Sequence, residues 1–263
     1  MAIITLLSDL GAQSVTIASV KGALYTRLPE VTVVDISHEI KPFYLQEAAY
    51  LLASGFRKFP AGTVHIAVFD VFSDKAPRLV VCEKQGQYFL SPDNGLLSLA
   101  LGAVENSREC MVLGQDAPFS NWLDETVRIA SLVATGQIDL SILPPIDIKP
   151  VPGGLLSKLE NNMMQCQIVH IDRFENVIVN VTREQFEKER NGRPFRVEFM
   201  RNEVLTTINT GYNNVPPGEK LCRFNSAGYL EISINRGNAA GLFGLSMNQE
   251  KDKIRHSIKI YFE

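Results

Sequence analysis

Three short, unbroken apolar runs, separated by stretches with helical spacing, constrain this chain more than any other feature. Ile3-Ile4-Thr5-Leu6-Leu7, Val31-Thr32-Val33-Val34 and Val64-His65-Ile66-Ala67-Val68-Phe69 show no alternating polar face, so each reads as a strand buried on both sides. Val15 to Leu28 and Leu45 to Phe56 carry apolar residues at helical spacing between them, and Pro29 and Pro60 stop those helices. Strand, helix, strand, helix, strand predicts an α/β domain with a mostly parallel central sheet, its crossovers right-handed and both faces covered. Leu79 to Cys82 and Tyr88 to Leu90 predict a hairpin added to that sheet, and Asp124 to Ala134 a further helix ending at Gly136.

The texture then changes. Leu143-Pro144-Pro145 through Lys149-Pro150-Val151-Pro152-Gly153-Gly154 is the richest Pro/Gly stretch of the chain and predicts a boundary. The expected division is an α/β domain over residues 1–145, a linker over 146–160 and a second domain over 161–263. Beyond the boundary the pattern turns to strands: Gln167 to Ile171, Val177 to Val181, Phe195 to Met200, Val204 to Ile208, Tyr229 to Ile234 and Ile258 to Phe262. Only Arg183 to Arg190 has helical spacing. Many short strands with turn signals predict a small antiparallel β-barrel or sandwich.

Several function classes drop out on composition and motif. A formal charge of -3 and a pI near 5.9 give no basic surface for nucleic acid. No apolar run approaches the roughly 20 residues that span a bilayer, and Asp9 directly follows the first apolar stretch, so neither a membrane partner nor a signal peptide is expected. Cys82, Cys110, Cys166 and Cys222 are far apart, without CxxC, and predict free thiols in a reducing cytoplasm. There is no GxxxxGK[ST], no GxGxxG after a strand, no HExxH and no GxSxG. His38, His65, His170 and His256 are scattered, so no metal site is expected.

What the first half offers is acids at strand ends: Asp9, Asp35 and Asp70. Ligands of open parallel sheets bind beyond the carboxyl ends of strands, where a carboxylate can accept from a sugar diol, hold an amine or orient water. The same residues can also simply cap a helix or turn. Ser91-Pro92-Asp93-Asn94-Gly95 leads into an apolar helix and reads as N-capping chemistry. His170-Ile171-Asp172-Arg173-Phe174-Glu175-Asn176 clusters a carboxylate, an aromatic and an amide at a turn, suited to an amine and a planar base or to a plain polar hairpin. Asn225-Ser226-Ala227-Gly228 and Asn235-Arg236-Gly237-Asn238 are rich in small residues that let backbone approach a ligand, or merely turn tightly.

Taken in order, these patches resemble the S-adenosyl-L-methionine hydroxide adenosyltransferase family, whose relatives include the fluorinase and chlorinase. The resemblance runs through Ile4 to Gly11, Val34 to Ile40 with Pro42-Phe43, Phe59 to His65, Pro92 to Leu97, Ile171 to Asn180, and Asn225 to Ala240. It implies an N-terminal α/β domain and a C-terminal β-barrel, assembled as a homotrimer with S-adenosylmethionine or adenosine bound between neighbouring subunits. Position by position, it implies that Asp9 holds the ribose hydroxyls and Phe43 lines the ribose and sulfonium pocket. Asp172 would bind the methionine ammonium, Phe174 and Asn176 the adenine, Ser226 the methionine carboxylate, and the backbone near Arg236 the adenine edge.

The implied reaction is water attack at ribose C5′, giving adenosine and methionine, with no cofactor beyond the substrate. Hydrolases of the family activate water with an Asp in a DPGVG-like turn, an Arg soon after it and a His in a TFHGRD-like segment. This sequence keeps Asp70 but continues Val71-Phe72-Ser73-Asp74-Lys75-Ala76-Pro77, with Arg78 displaced by one or two places. It reads Phe119-Ser120-Asn121-Trp122 where the His segment stands, which makes Asn121 or Ser120 the substitute. Ser73 is the nearest equivalent of the small polar residue that binds halide in the halogenases. Three readings stay open: hydrolysis by Asp70 with Arg78 and Asn121, a non-catalytic nucleoside-binding protein, and displacement by another nucleophile.

Overall fold

The structure, a computed structural model, describes residues 2–114, 116–200, 202–247 and 258–263, so His256 lies outside the described residues. The chain divides into two compact units, Met1–Gly154 and Leu155–Glu263.

In the first unit the three apolar runs become β1 (Ile3–Ser8), β2 (Thr32–Ser37) and β3 (Val64–Val68), joined by α1 (Val15–Arg27) and α2 (Leu45–Gly55). Ser14 caps α1 by accepting from the Thr16 amide. Beyond β3 come β4 (Arg78–Lys84), β5 (Gln87–Pro92), α3 (Leu96–Leu101), β6 (Glu105–Val112) and α4 (Phe119–Ala134). The sheet order is β2-β1-β3-β5-β4-β6. β1 pairs in parallel with β2 and β3, β5 in parallel with β3, and β4 runs antiparallel to β5 and β6. The expected hairpin is therefore present, with β5 also continuing the parallel set.

Alternation along the strands divides the core. Ile4, Leu6, Val64, Ile66 and Leu90 face Val20 and Leu24 of α1 and Trp122, Val127 and Ala130 of α4. On the other face His65 stacks on Phe89, with ring centroids 4.7 Å apart, and Phe56 and Phe59 meet it edge-on. Its Nδ1 lies 2.7 Å from Thr5 Oγ1 and its Nε2 2.7 Å from Gln87 Oε1, so Nε2–H donates to the amide oxygen and the threonine hydroxyl donates to Nδ1. Burial pushes the imidazole down to about 4. His65 is a neutral core residue.

α4 begins at Phe119, five residues before the expected Asp124, because the exposed Ser120 and Asn121 of its first turn hide the apolar period. Residues 146–154 of the expected linker stretch belong to the first unit. Lys149 N–H donates to Asp93 Oδ1 at 2.7 Å, and Ser98 Oγ donates to the Lys149 carbonyl at 2.8 Å.

The second unit contains β7 (Leu159–Glu160), β8 (Met163–Cys166), β9 (Ile168–Ile171), β10 (Val177–Thr182), α5 (Arg183–Arg190), β11 (Phe195–Met200), β12 (Glu203–Leu205) and β13 (Ile208–Asn209). β14 (Lys220–Phe224), β15 (Tyr229–Ile234), α6 (Ala239–Phe243) and β16 (Ile258–Phe262) complete it. Two five-stranded sheets form, β13-β14-β15-β10-β9 and β12-β11-β16-β8-β7. Met164, Val179, Val197, Ile232 and Ile260 share one core, and Phe186 of α5 sends its ring edge-on against Phe195, Phe224 and Phe262.

The expected barrel is not closed: among the described residues no strand pair joins the two sheets. Edge strands of two to four residues (β7, β9, β12 and β13) are too short to carry a continuous ladder around. The unit is two packed sheets. Among the described residues no helix is long and apolar enough to cross a membrane.

Candidate functional site

Because β1, β2 and β3 run parallel, their acids emerge at one edge of the sheet. Asp9 and Asp70 meet there: the Asp70 amide donates to Asp9 Oδ2 at 3.3 Å. Asp70 sits at φ +41°, a left-handed conformation that a residue with a Cβ adopts only when its surroundings impose it. Asn94 imposes it. Its buried amide donates to the Phe69 carbonyl at 2.8 Å and lies 3.4 Å from the Asp70 carbonyl, while its Oδ1 accepts from Leu96 N–H. The Pro92-Asp93-Asn94-Gly95 turn thus starts α3 and also grips the Asp70 turn.

Burial raises the Asp9 carboxyl above the usual range; the Asp70 amide pulls it back and the Asp70 charge adds to the rise. Burial raises the Asp70 carboxyl as well, and the Lys149 charge opposes that rise. Asp35 goes the other way. Burial works against its charge, but Lys21 Nζ at 2.6 Å and His38 Nε2 at 3.0 Å hold it below the usual carboxylate range. Asp35, although exposed, is therefore engaged by Lys21 and His38.

After Asp70 the chain makes a 3-10 turn, Val71–Ser73, and Ser73 is exposed on it. The Phe72 ring meets Phe119 at 5.5 Å, which brings the Asp70 turn beside the first turn of α4, where Ser120 and Asn121 stand exposed. Arg78 is engaged elsewhere: Nε lies 3.1 Å from Glu109 and a terminal nitrogen 3.9 Å from Asp93. Lys149 is the cation felt by Asp70, and no sequence motif announces it. Phe43 stands on the loop before α2 at φ +65° with its ring 78% exposed.

In the second unit, Asp172, Phe174 and Asn176 share the turn between β9 and β10. Asp172 Oδ1 accepts from the Phe174 and Asn176 amides and Oδ2 from the Asn176 side chain, each at 2.9 Å. An ionised carboxylate has about four acceptor positions, so roughly one is left for an incoming donor. Asn176 is buried, whereas the Phe174 ring is 77% exposed. Glu175 ties this turn to the segment that follows Arg236: its carbonyl accepts from Ala240 N–H and its carboxylate from Gly241 N–H. Exposed Arg236 sits at φ +55° beside Gly237, where a Cβ would come within 2.4 Å of Ile234.

The structure does not bring Ser226 to this cluster. β10 and β15 pair Val177 with Ile232 and Thr182 with Tyr229. Ser226, just before Tyr229, therefore lies at the end of the ladder away from Asn176, roughly 15 Å off at ~3.3 Å per residue.

Among the described residues no group of three or more His, Cys, Asp or Glu side chains is placed to hold a metal ion. These features define a mixed α/β protein of two units, each carrying its own polar cluster. The sequence profile of the SAM hydroxide adenosyltransferase N-terminal domain matches residues 4–140, and that of the C-terminal domain residues 166–251. The chain belongs to the SAM hydroxide adenosyltransferase family.

It is 31% identical to an (R)-S-adenosyl-L-methionine hydrolase from Thermus thermophilus, over 91% of this chain and 94% of the relative. It is 26% identical to a fluorinase from an Actinoplanes species, over 92% of this chain and 94% of the relative. A crystal structure of an uncharacterised conserved protein from Thermotoga maritima, 24% identical, covers 98% of this chain and 99% of its own with a TM-score of 0.81, and so shares the fold.

Proposed function

We propose that the protein binds S-adenosylmethionine or adenosine and hydrolyses S-adenosylmethionine to adenosine and methionine. The observation that carries this reading is the meeting of Asp9 and Asp70 at the carboxyl edge of the parallel sheet, where the Asp70 main-chain amide donates to the Asp9 carboxylate. Hydrolases of (R)-S-adenosyl-L-methionine among the relatives support the substrate class and point to the (R) sulfonium epimer. Asp9 takes the ribose diol, Phe43 packs beside it, and Asp172, Phe174, Asn176 and the Arg236 backbone take the adenine and amino ends. Ser226, toward the other end of the β10–β15 ladder, is the candidate for the methionine carboxylate.

The reaction forms a bond from water oxygen to C5′ and breaks the C5′–S bond. The leaving thioether is neutral and needs no acid. One proton is released from water, and Asp70 orients that water and accepts the proton. Burial raises its carboxyl above the ordinary carboxylate range, against the pull of the Lys149 charge. Asn121, beside the Asp70 turn, offers a neutral hydrogen bond to the same water. Arg78 contributes only by leaving Glu109 and Asp93, and its engagement there favours the second reading, a nucleoside-binding protein without turnover.

We also propose a homotrimer in which each site draws on two neighbouring subunits. The strongly exposed Phe43 and Phe174 rings support it, since apolar rings gain by being covered. Calorimetry with adenosine is the test. Asp9→Ala and Asn176→Ala should each weaken binding by about 5- to 150-fold, the cost of a lost buried hydrogen bond. A mixture of the two variants should regain wild-type sites, and light scattering should give about three times the 29.2 kDa chain mass. Wild type that fails to bind adenosine at millimolar concentration ends both readings, and a ligand-binding monomer ends the shared site.

A further inference from the structure

The loop that carries Asp9 is fixed from behind by a polar chain that no proposed ligand contact uses. Ser8 is fully buried, and its Oγ lies 2.7 Å from Nδ1 of His38, itself only 5% exposed. The other ring nitrogen of His38 lies 3.0 Å from Asp35 Oδ1, and Lys21 Nζ lies 2.6 Å from Asp35 Oδ2. The main chain repeats the linkage. Gly11 N–H donates to the His38 carbonyl at 2.8 Å, Ala12 N–H to Glu39 Oε1 at 2.8 Å, and Leu10 N–H to Ser8 Oγ at 3.4 Å. Asp9 is the residue in the middle of that stitched segment, with one side-chain bond to the Asp70 amide.

The nitrogen facing Asp35 lies within 3.0 Å of Oδ1 but makes no aligned hydrogen bond there, so the link that ties the ring to the Asp9 loop is the one between Nδ1 and the Ser8 hydroxyl. The order Ser, His, Asp resembles a nucleophilic triad, but a hydroxyl with no solvent exposure cannot reach a substrate. Its consequence is geometric: the hydroxyl and imidazole set where the backbone leaves β1, hence where the Asp9 carboxylate points. A carboxylate that must meet two vicinal hydroxyls tolerates little angular error.

We infer that His38 is a positioning residue for Asp9, acting through Ser8 to hold the carboxylate in register with a ribose diol. This rests on the proposed role of Asp9. The test compares adenosine with 2′,3′-dideoxyadenosine by calorimetry, because only the diol reports on Asp9, whereas general loosening of the unit weakens both ligands alike. Wild type should prefer adenosine by about 5-fold or more, the value of one buried hydrogen bond. His38→Ala should bring that preference close to unity while 2′,3′-dideoxyadenosine affinity stays within about 2-fold. His38→Asn, which keeps an acceptor near the Nδ1 position, should recover part of it. Should His38→Ala not fold, Ser8→Ala and Asp35→Asn read the two ends of the chain by the same ratio. An undiminished preference in His38→Ala, or in both substitutes, overturns the inference while leaving the role of Asp9 standing. A wild type without any preference overturns the diol role of Asp9 and the inference with it.

Discussion

Replacing Asp70 with Asn is expected to lower adenosine release from S-adenosylmethionine by about 10²- to 10⁴-fold, the usual worth of a positioned base, with ligand affinity kept within a few-fold. The variant isolates the charge. Asn tolerates the left-handed backbone that Asp70 adopts at φ +41°, and the main-chain bond from residue 70 to Asp9 survives. The pH dependence has a definite sign. Asp70 accepts a proton only when ionised, and burial raises its pKa, so activity should be present at neutral pH and fall on acidification at a higher pH than for a free carboxylate. Lys149 opposes that rise, so Lys149→Met should move the acid limb of the rate profile further upward. Equal rates for wild type and Asp70→Asn, read by chromatography of adenosine, would make the protein a binder only.

Trp122→Ala should be the most damaging core substitution. The indole is fully buried between α4 and the sheet, and deletions of this kind cost about 3–5 kcal/mol. That is a large share of a typical folding free energy of about 5–15 kcal/mol. Phe119, stacked on Trp122 at 6.3 Å, also touches Phe72 of the Asp70 turn, so the loss should reach the candidate site as well. Trp122→Phe should be much milder, because the indole Nε1 is buried without a hydrogen-bond partner and its removal deletes an unsatisfied donor. Urea unfolding of both variants checks the order, and an Ala variant as stable as the Phe variant would contradict it.

The elements whose apolar pattern is an unbroken run or a regular helical spacing were legible in the sequence. The runs at β1, β2 and β3 have a single reading, and Arg183 to Arg190 is the helix its spacing predicts. β6 was not legible, since Glu105, Arg108 and Glu109 break its apolar pattern while Arg108 reaches the Leu140 carbonyl. α6 is only five residues long and carries no period to detect. Of the barrel and the sandwich, the sequence could not choose: among the described residues the sheets do not close, and edge-strand length is set by tertiary pairing rather than propensity.

At the candidate site, the acids at strand ends and the Asp172 to Asn176 turn were legible because turn chemistry is local. Lys149 was not, because its approach to Asp70 is made by a Pro-flanked segment anchored on Asp93 and Ser98, more than fifty positions away in sequence. The distance between Ser226 and Asn176 was equally hidden, since it follows from the β10–β15 register and not from the motifs themselves.

The most direct test is hydrolysis of resolved (R)-S-adenosylmethionine by the wild-type protein in ¹⁸O-labelled water, with both products weighed by mass spectrometry. Attack of water at C5′ predicts adenosine carrying one ¹⁸O at its 5′ hydroxyl, with unlabelled methionine in equal amount and neither product accumulating with Asp70→Asn. Adenosine without the label, or no adenosine above the Asp70→Asn background, would contradict the account.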